Sequence, residues 1–238
     1  MSLIAAKLKI VIICWPSVEE NARFISEKLE KAGYSPSIIY STKDNSNLNG
    51  PGEWLKVSDE YYYGRKFLKM ITEFSYDILL QIHADAFCDD WLGLVERCYS
   101  LHCTNEDIGI WAPTPDNSAW QNKSVFLAEH GDSGLISVAQ TDCIVWSMTK
   151  KVSERLNRLN LTKNNLGWGI DWAAICFCYC SGYLVVRDLK FIIKHKLGTG
   201  YMANEAGKQM NDFLAELSTQ EKIMYRLLNE SILINQLK

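Results

Sequence analysis

An α/β fold, built on a mostly parallel sheet with helices on both faces, is predicted by two features of this 238-residue sequence. Short apolar runs typical of buried strands alternate with segments whose apolar residues recur every three or four positions, as they do on one face of a helix. The connections between these segments are short, which is typical of parallel βαβ units. The sequence therefore predicts a three-layer αβα sandwich, followed by a helical tail from residue 202.

The first half of the chain shows this alternation most clearly. Ser17 and Glu20 form a capping-box pattern at the start of the first helix, and Gly33 is expected to end it. Asp89 or Asp90 is expected to cap the helix that follows the central strand. The elements expected here are strands at 9–14, 37–40 and 78–82, helices at 18–32, 63–74 and 91–102, and a polar loop at 42–52.

The second half is less regular. Residues 120–134 show no clear periodicity and carry no prediction. Beyond residue 202, apolar residues recur at helical spacing, which favours packing faces or a dimer surface over contacts to a cofactor. The elements expected here are strands at 108–112, 138–147, 184–186 and 191–193, and helices at 152–159 and 172–179.

The end of the central strand carries the first candidate site. The apolar run 78–82 switches abruptly to His83 and Asp85, an i, i+2 pair that a strand would point to one side. Ligands of open α/β sheets lie beyond the carboxyl ends of the strands. A carboxylate there suits a hard divalent cation that also holds phosphate. The alternative is that Asp85 and Asp89 only turn the chain and cap the next helix.

Composition narrows the class of protein. With 47% hydrophobic and 22% charged residues the chain is ordinary for a globular protein, and its net charge of −3 argues against a nucleic-acid binder with a basic face. No apolar run is long enough for a membrane span, and the N-terminus is too weakly apolar for a signal peptide. Eight cysteines without a secretion signal indicate free thiols and a cytoplasmic location. The apolar helical run that carries three of them indicates core packing rather than a metal cluster: Cys176, Cys178 and Cys180.

Three motifs, in this order along the chain, resemble those of the GT-A fold nucleotide-sugar glycosyltransferases, and of glycosyltransferase family 2 in particular. His83-Ala-Asp85 lies where the family has its Asp-x-Asp motif. Gly167-Trp-Gly-Ile-Asp171 resembles the family's acceptor motif at the start of a helix. The stretch from His195 to Tyr201 resembles a late His-x-x-Gly-x-(Gly/Ser)-Tyr segment. The resemblance implies a GT-A-like catalytic domain at 1–201 and a helical extension at 202–238, either packed on that domain or used in dimerisation.

The family implies an inverting, metal-dependent transfer of a sugar from a nucleoside diphosphate to a hydroxyl of a glycan or a lipid-linked saccharide. A bound Mn²⁺ or Mg²⁺ would neutralise the diphosphate that leaves. The resemblance assigns Asp85 and His195 to this metal and Asp171 to the deprotonation of the acceptor. The alternatives are a surface histidine at a strand end and a helix-start aspartate stabilised by the helix dipole.

The resemblance also implies contacts to substrate. Trp168 would offer an apolar face to a sugar ring, and Gly167 and Gly169 would let the backbone pass close to a ligand. Asp44, after the second strand, is a candidate for contacting the nucleotide base, although its position in a polar loop favours a solvated residue.

One departure from the family pattern affects the functional prediction. His83 stands where the family has the first aspartate, a position that contacts the ribose or the metal; an imidazole can serve there, or His83 can be a core histidine. The alternative function is therefore a catalytically inactive GT-A-like protein that binds a nucleotide or a glycan. A third hypothesis is an interaction module whose helical tail is the functional surface. Separately, a homodimer is possible.

Overall fold

The structure is a computed structural model that describes residues 7–195 and 201–237. The fold is α/β, as the sequence predicts. The strands are β1 (Leu8–Cys14), β2 (Ser37–Tyr40), β3 (Glu53–Lys56), β4 (Ile78–His83), β5 (Ala86–Phe87), β6 (Ile108–Pro115), β7 (Phe126–Glu129), β8 (Leu135–Val138), β9 (Val145–Thr149) and β10 (Leu184–His195). The helices are α1 (Glu19–Lys31), α2 (Tyr63–Glu73), α3 (Trp91–Thr104), α4 (Asn122–Val125), α5 (Lys150–Leu156), α6 (Ile170–Cys180), α7 (Ala203–Leu214) and α8 (Thr219–Gln236).

The strands form one sheet in the order β3-β2-β1-β4-β9-β6-β10-β8-β7. Along this path every strand except β8 and β9 points in the same direction, which confirms the mostly parallel sheet. The short strand β5 lies off the path and pairs with the end of β10. This arrangement places the carboxyl ends of β1, β2, β4 and β10 at one edge of the sheet.

Helices cover both faces of the sheet, so the three-layer prediction is confirmed. Alternate residues of β1 point to opposite faces: Ile12 packs in one core with α1 and α3, and Ile13 packs in a second core with α2, α5 and α6. Both side chains are fully buried. The sheet therefore lies between two cores, and the site lies at its edge.

The starts and ends of the helices test the capping predictions. Asp90 caps α3 by accepting a hydrogen bond from the backbone N–H of Gly93 at 2.9 Å, and Gly33 follows α1 with a φ of 86°, as expected. The capping box at Ser17 and Glu20 is wrong. Val18 precedes α1 without a side-chain cap, and Ser17 has a φ of 82°, so it turns the chain between β1 and α1 instead.

Strand boundaries differ from the predictions in the second half. The single strand expected at 138–147 is wrong: β8 ends at Val138, β9 starts at Val145, and a loop at 139–144 separates them. The two strands expected at 184–186 and 191–193 are one strand, β10, whose register with β6 shifts between Asp188 and Ile192. The polar residues at this shift made the strand look interrupted in the sequence.

The cysteines are free thiols throughout the described residues. Cys176 and Cys178 are buried in α6, as expected, whereas Cys180 is exposed at the end of that helix, where the prediction is wrong. No helix within 7–195 or 201–237 is long and apolar enough to cross a membrane.

The C-terminal helix α8 packs on α6 and α4. Leu228 and Ile232 form its buried face. Its opposite face exposes Ile223, Leu227 and Ile234, each by more than half of its surface. A homodimer that uses this exposed face stays a prediction.

Candidate functional site

Three side chains from different elements converge at the edge where the parallel strands end. His83 ends β4, Asp85 lies in the turn before β5, and His195 ends β10. Because β5 pairs with β10, with Ala86 opposite His195, the third side chain is brought to the first two. Their ligand atoms all lie within 4.8 Å of one another, and His195 Nε2 is 3.2 Å from Asp85 Oδ2. The structure thus brings together both proposed metal ligands, with His83 as a third.

The donor atoms of this His–Asp–His triad fit a divalent cation. His83 Nε2 and Asp85 Oδ1 are buried and have no hydrogen-bond partner. Leaving a buried polar atom unpaired costs free energy, so both atoms are suited to a ligand that the chain itself does not supply. Two imidazole nitrogens with one carboxylate oxygen suit Mn²⁺ better than Mg²⁺, which prefers oxygen ligands.

The ionisation of the triad also favours a cation. Burial lowers the pKa of His83 to about 4, so its imidazole is neutral at neutral pH. Burial acts to raise the pKa of Asp85, but the hydrogen bond that His195 donates, together with the charges that the two imidazoles carry when protonated, outweighs it and lowers that pKa. The same hydrogen bond raises the pKa of His195. A cation therefore competes with a proton for His195.

Two aromatic rings hold the His83 side chain. Trp15, directly after β1, meets it edge-on with ring centroids 5.7 Å apart, and Tyr63, the first residue of α2, does so at 5.1 Å. The backbone N–H of His83 donates to the carbonyl of Ile144 at 2.8 Å. The imidazole is thus packed like that of a core histidine, while its Nε2 has no hydrogen-bond partner.

Asp171 lies in the first turn of α6, as the sequence predicts. The backbone N–H of Trp172 donates to its Oδ1 at 2.8 Å, and Gln140 Nε2 donates to its Oδ2 at 3.0 Å. Burial raises the pKa of Asp171 to about 7, and the negative charge of Asp142 acts in the same direction. A carboxylate whose pKa is close to neutral is suited to general-base catalysis.

The loop at 139–144 joins Asp171 to the triad, although the sequence predicts a strand there. Gln140 holds Asp171, and Ile144 accepts from the backbone of His83. Between them, Asp142 Oδ2 accepts a hydrogen bond from Ser118 Oγ at 2.5 Å. Apolar residues flank this loop on both sides, which is why the sequence predicts a continuous strand. The polar triplet at 140–142 was the signal that could have revealed it.

A buried lysine beside the site was also missed. Lys66, on the inner face of α2, is fully buried and donates to the carbonyl of Cys14 at 2.7 Å and to Ser41 Oγ at 3.0 Å. It lies 4.3 Å from the centre of the Trp15 ring, and burial lowers its pKa to about 8. Lys66 therefore ties the carboxyl ends of β1 and β2 together. A lysine within the apolar stripe of a predicted helix was the available signal.

The two glycines of the acceptor-like motif have left-handed backbone conformations and tight surroundings. Gly167 has a φ of 83°, and a Cβ there would lie 2.4 Å from the ring of Tyr63. Gly169 has a φ of 86°, and a Cβ there would lie 3.0 Å from Met210 of α7. Both glycines are thus required by packing, and contact with a ligand stays a prediction for each.

Trp168, between these glycines, is half-buried. Its Nε1 donates to the hydroxyl of Tyr201 at 2.9 Å, and Tyr62 meets the Tyr201 ring edge-on with centroids 5.9 Å apart. Trp168 thus belongs to a cluster of three aromatic side chains, and its contact with a sugar stays a prediction. Residues 196–200 of the late motif lie outside the described residues.

Asp44 is exposed in the loop after β2, where it accepts a hydrogen bond from the backbone N–H of Ser46 at 3.1 Å. Hydrogen bonds from Ser46 lower its pKa. This geometry matches the solvated loop residue that the sequence favours, and a contact with a nucleotide base stays a prediction.

Solved structures share this fold at low sequence identity. GalNAc-T7 with UDP, GalNAc and Mn²⁺ gives a TM-score of 0.66 at 10% identity, over 92% of this chain and 50% of that chain. The mannosyltransferase PcManGT from Pyrobaculum calidifontis with GDP-Man and Mn²⁺ gives 0.54 at 10% identity, over 94% and 73%. UTP-bound UGPase from Acinetobacter baumannii gives 0.50 at 10% identity, over 94% and 99%.

These similarities show that the chain has a GT-A-like fold, as the motif resemblance predicts. No family model and no curated protein matches the chain. The chain spans half the length of the GalNAc-T7 structure. Fold similarity alone does not determine activity, which depends on the residues of the site.

Proposed function

We propose that this protein is a metal-dependent glycosyltransferase that moves a sugar from a nucleoside-diphosphate donor to a hydroxyl acceptor. The observation that carries the proposal is the triad of His83, Asp85 and His195, which offers two buried, unpartnered ligand atoms at the sheet edge where ligands of such folds bind. Two of the similar solved structures contain Mn²⁺ together with UDP or GDP-Man, which supports the choice of ligands.

His83, Asp85 and His195 would hold Mn²⁺ or Mg²⁺, and the donor set favours Mn²⁺. The cation would supply Lewis-acid neutralisation of the charge that develops on the diphosphate as it leaves. The rings of Trp15 and Tyr63 keep the His83 imidazole in place for this task. The hydrogen bond of Asp116 Oδ1 with the backbone N–H of His195, at 3.0 Å, holds the third ligand.

Asp171 is the residue that we assign to the acceptor. Its ionised carboxylate accepts the proton of the attacking hydroxyl, and Gln140 orients the carboxylate from the side of the loop at 139–144. A separate base opposite the departing diphosphate corresponds to an inverting transfer. Trp168 offers the acceptor sugar an apolar face, which makes a glycan or a lipid-linked saccharide the proposed acceptor class. The proposed location is the cytoplasm.

A catalytically inactive protein that binds a nucleotide is the second candidate. His83 in place of the family's first aspartate is the observation that favours it. The UTP-bound neighbour adds a further activity to be tested, because a nucleotidyltransferase would consume UTP and a sugar phosphate instead of a nucleotide sugar.

Calorimetry with UDP and GDP, in the presence and absence of Mn²⁺, tests the metal site. We expect binding that requires Mn²⁺, weaker binding with Mg²⁺, and at least a tenfold loss of affinity in Asp85→Ala without loss of folding. Asp107→Ala is the matched control, because this exposed carboxylate precedes β6 at the opposite edge of the sheet. Equal metal-dependent affinity in Asp85→Ala and wild type would refute the site.

Assays of sugar transfer with the nucleotide sugars that bind, and of UTP with sugar phosphates, then separate the candidates. Transfer or donor hydrolysis supports the glycosyltransferase. Nucleotide binding without turnover of any donor supports the inactive homologue.

A further inference from the structure

We propose that Asp142 contacts the transferred sugar and selects donors that present a free hydroxyl group, rather than an acetamido group, at the position facing it. The inference rests on the proposed function and deepens it by naming the donor class. No sequence motif points to Asp142, which reaches the site on the loop at 139–144.

The course of this loop places Asp142 between the two halves of the site. At one end, Gln140 donates to Asp171 at 3.0 Å. At the other end, Ile144 accepts from the backbone N–H of His83 at 2.8 Å. Burial raises the pKa of Asp142, and the hydrogen bond from Ser118 and the charges of Arg187 and His195 act against it. The charge of Asp142 adds to burial in raising the pKa of Asp171. Asp142 therefore neighbours both the proposed base and the triad.

In a transfer reaction the sugar must lie in the space between Asp171 and the triad. Its anomeric carbon lies between the leaving diphosphate, held at the triad, and the acceptor hydroxyl, held at Asp171. A side chain placed between the two groups faces the sugar ring. Asp142 is such a side chain, and a carboxyl group forms hydrogen bonds with sugar hydroxyls whether it is ionised or protonated.

The Asp142 carboxylate is held in a defined orientation. Ser118 Oγ donates to its Oδ2 at 2.5 Å, so Oδ1 is the atom that we assign to the sugar. Ser118 belongs to the loop after β6, and Asp116 of the same loop accepts from the backbone N–H of His195. One short segment thus positions both a metal ligand and Asp142, as a preorganised site requires.

A small cavity beside Asp142 sets the size of the group that is accepted. Its volume is about 10 Å³, which is room for one water-sized group, and its walls include Pro113, Pro115 and Ile193. Thr141 also lines it, and the Oγ1 atom of Thr141 is buried without a hydrogen-bond partner. One hydroxyl oxygen matches this cavity in size, and Thr141 and Asp142 are the polar residues of its lining that we assign to that hydroxyl. An acetamido group is too large for it.

Calorimetry with Mn²⁺ and three probes, UDP, UDP-glucose and UDP-N-acetylglucosamine, tests this role, with GDP and GDP-mannose run in parallel. Wild type should bind the hexose donor more tightly than the nucleoside diphosphate alone, and should not gain from the N-acetylated sugar. Asp142→Ala should lose about 10- to 100-fold in affinity for the hexose donor while its affinity for the diphosphate stays unchanged. Asp142→Asn keeps the shape of the side chain and guards against a folding defect.

Three outcomes would overturn the proposed role of Asp142, and they differ in what they imply for the proposed function. Equal hexose-donor affinity in wild type and both Asp142 variants, with diphosphate binding intact, overturns the role of Asp142 and leaves the proposed function standing. An equal loss for UDP and UDP-glucose means that Asp142 acts on the triad and not on the sugar. Wild type that binds no nucleoside diphosphate with Mn²⁺ overturns the proposed function, and this inference with it.

Discussion

Asp171 has two properties that support its proposed role as the general base. Both of its oxygens accept hydrogen bonds that fix its orientation, from Trp172 and from Gln140. Its pKa is nevertheless raised to about 7, because burial disfavours the charged form more than these bonds and the helix dipole favour it.

The pH dependence of transfer follows from that pKa. Below about pH 7 Asp171 is protonated and cannot accept the acceptor's proton, so kcat/KM in wild type should fall about tenfold per pH unit as the pH decreases. Asp171→Asn should lower kcat by about 10² to 10⁴ and remove this dependence, with donor affinity retained. Initial rates from pH 5 to 9 measure both effects.

Asp90→Asn is the matched control for Asp171→Asn, since Asp90 caps α3 by accepting from Gly93 and asparagine caps equally well. It should change neither the rate nor the stability. If Asp171→Asn behaves like Asp90→Asn, or if wild type shows a flat pH profile, Asp171 is not the base.

Single residues differ in how far the sequence reveals them. Asp85 and His195 follow apolar strand-like runs, and their placement could be predicted because parallel strands deliver their carboxyl ends to one edge. Asp142 and Lys66 could not be found in this way. Each owes its position to tertiary contacts, with Ser118 and with Cys14 and Ser41, that leave no periodic pattern in the sequence.

At the scale of secondary-structure elements, the shortest ones determine the geometry of the site. β5 has two residues, too few for any periodicity, yet its pairing with β10 brings His195 to Asp85. The loop at 139–144 interrupts a run that is apolar on both sides. Both features depend on pairing between distant segments, so local sequence signals do not encode them.

The docking of α2 onto the acceptor-like loop gives a prediction at this scale. Gly64 of α2 lies so close to that loop that a Cβ would sit 1.7 Å from the carbonyl oxygen of Asn164. Because backbone atoms cannot yield as side chains do, Gly64→Ala should lower the free energy of unfolding by about 3 kcal/mol or more. It should also displace Tyr63, and with it His83, so transfer should fall. Urea unfolding and initial rates measure these effects.

Gly207, in α7, provides the matched control. No atom lies within 4 Å of a Cβ placed there. Gly207→Ala should therefore raise the free energy of unfolding by about 0.5–1 kcal/mol, because alanine loses less conformational entropy in a helix. Similar stability changes in the two variants would contradict close docking at Gly64.

At the scale of the whole molecule, the order of strands and helices was predictable and the role of the tail was not. The alternation of apolar runs and helical stripes sufficed for a three-layer α/β fold, because each element's periodicity is a local property. The apolar residues that recur along α8 indicated that this helix packs on another element, but not on which one. In the structure α8 covers α6, and the Tyr225 ring meets that of Trp172, next to Asp171, with centroids 4.9 Å apart.

A buried ion pair joins this tail to the rest of the molecule. Arg155 of α5 donates from Nε and Nη2 to the two carboxylate oxygens of Glu221 at 2.8 and 2.6 Å, and the side chains are only 17% and 4% exposed. Arg155→Met should lower the free energy of unfolding at pH 7 by about 3–5 kcal/mol, because it leaves the Glu221 charge buried and unpaired. The double variant Arg155→Met/Glu221→Met should recover most of this loss. Lys31→Met, which breaks the exposed pair with Glu27, should cost less than about 0.5 kcal/mol.

The pH dependence of the Arg155→Met effect identifies its cause. Burial acts to raise the pKa of Glu221, but the hydrogen bonds from Arg155 and Ser218 outweigh it and hold that pKa below its ordinary value of 4.5. The stabilisation from this group is therefore present above pH 4.5 and is lost as the pH falls through the lowered pKa. Urea unfolding at pH 7 and about pH 4 should show the gap between wild type and Arg155→Met narrowing at the lower pH. A gap that stays constant, or a double variant no more stable than Arg155→Met, would mean that packing of the Arg155 side chain, and not its charge, holds the tail in place.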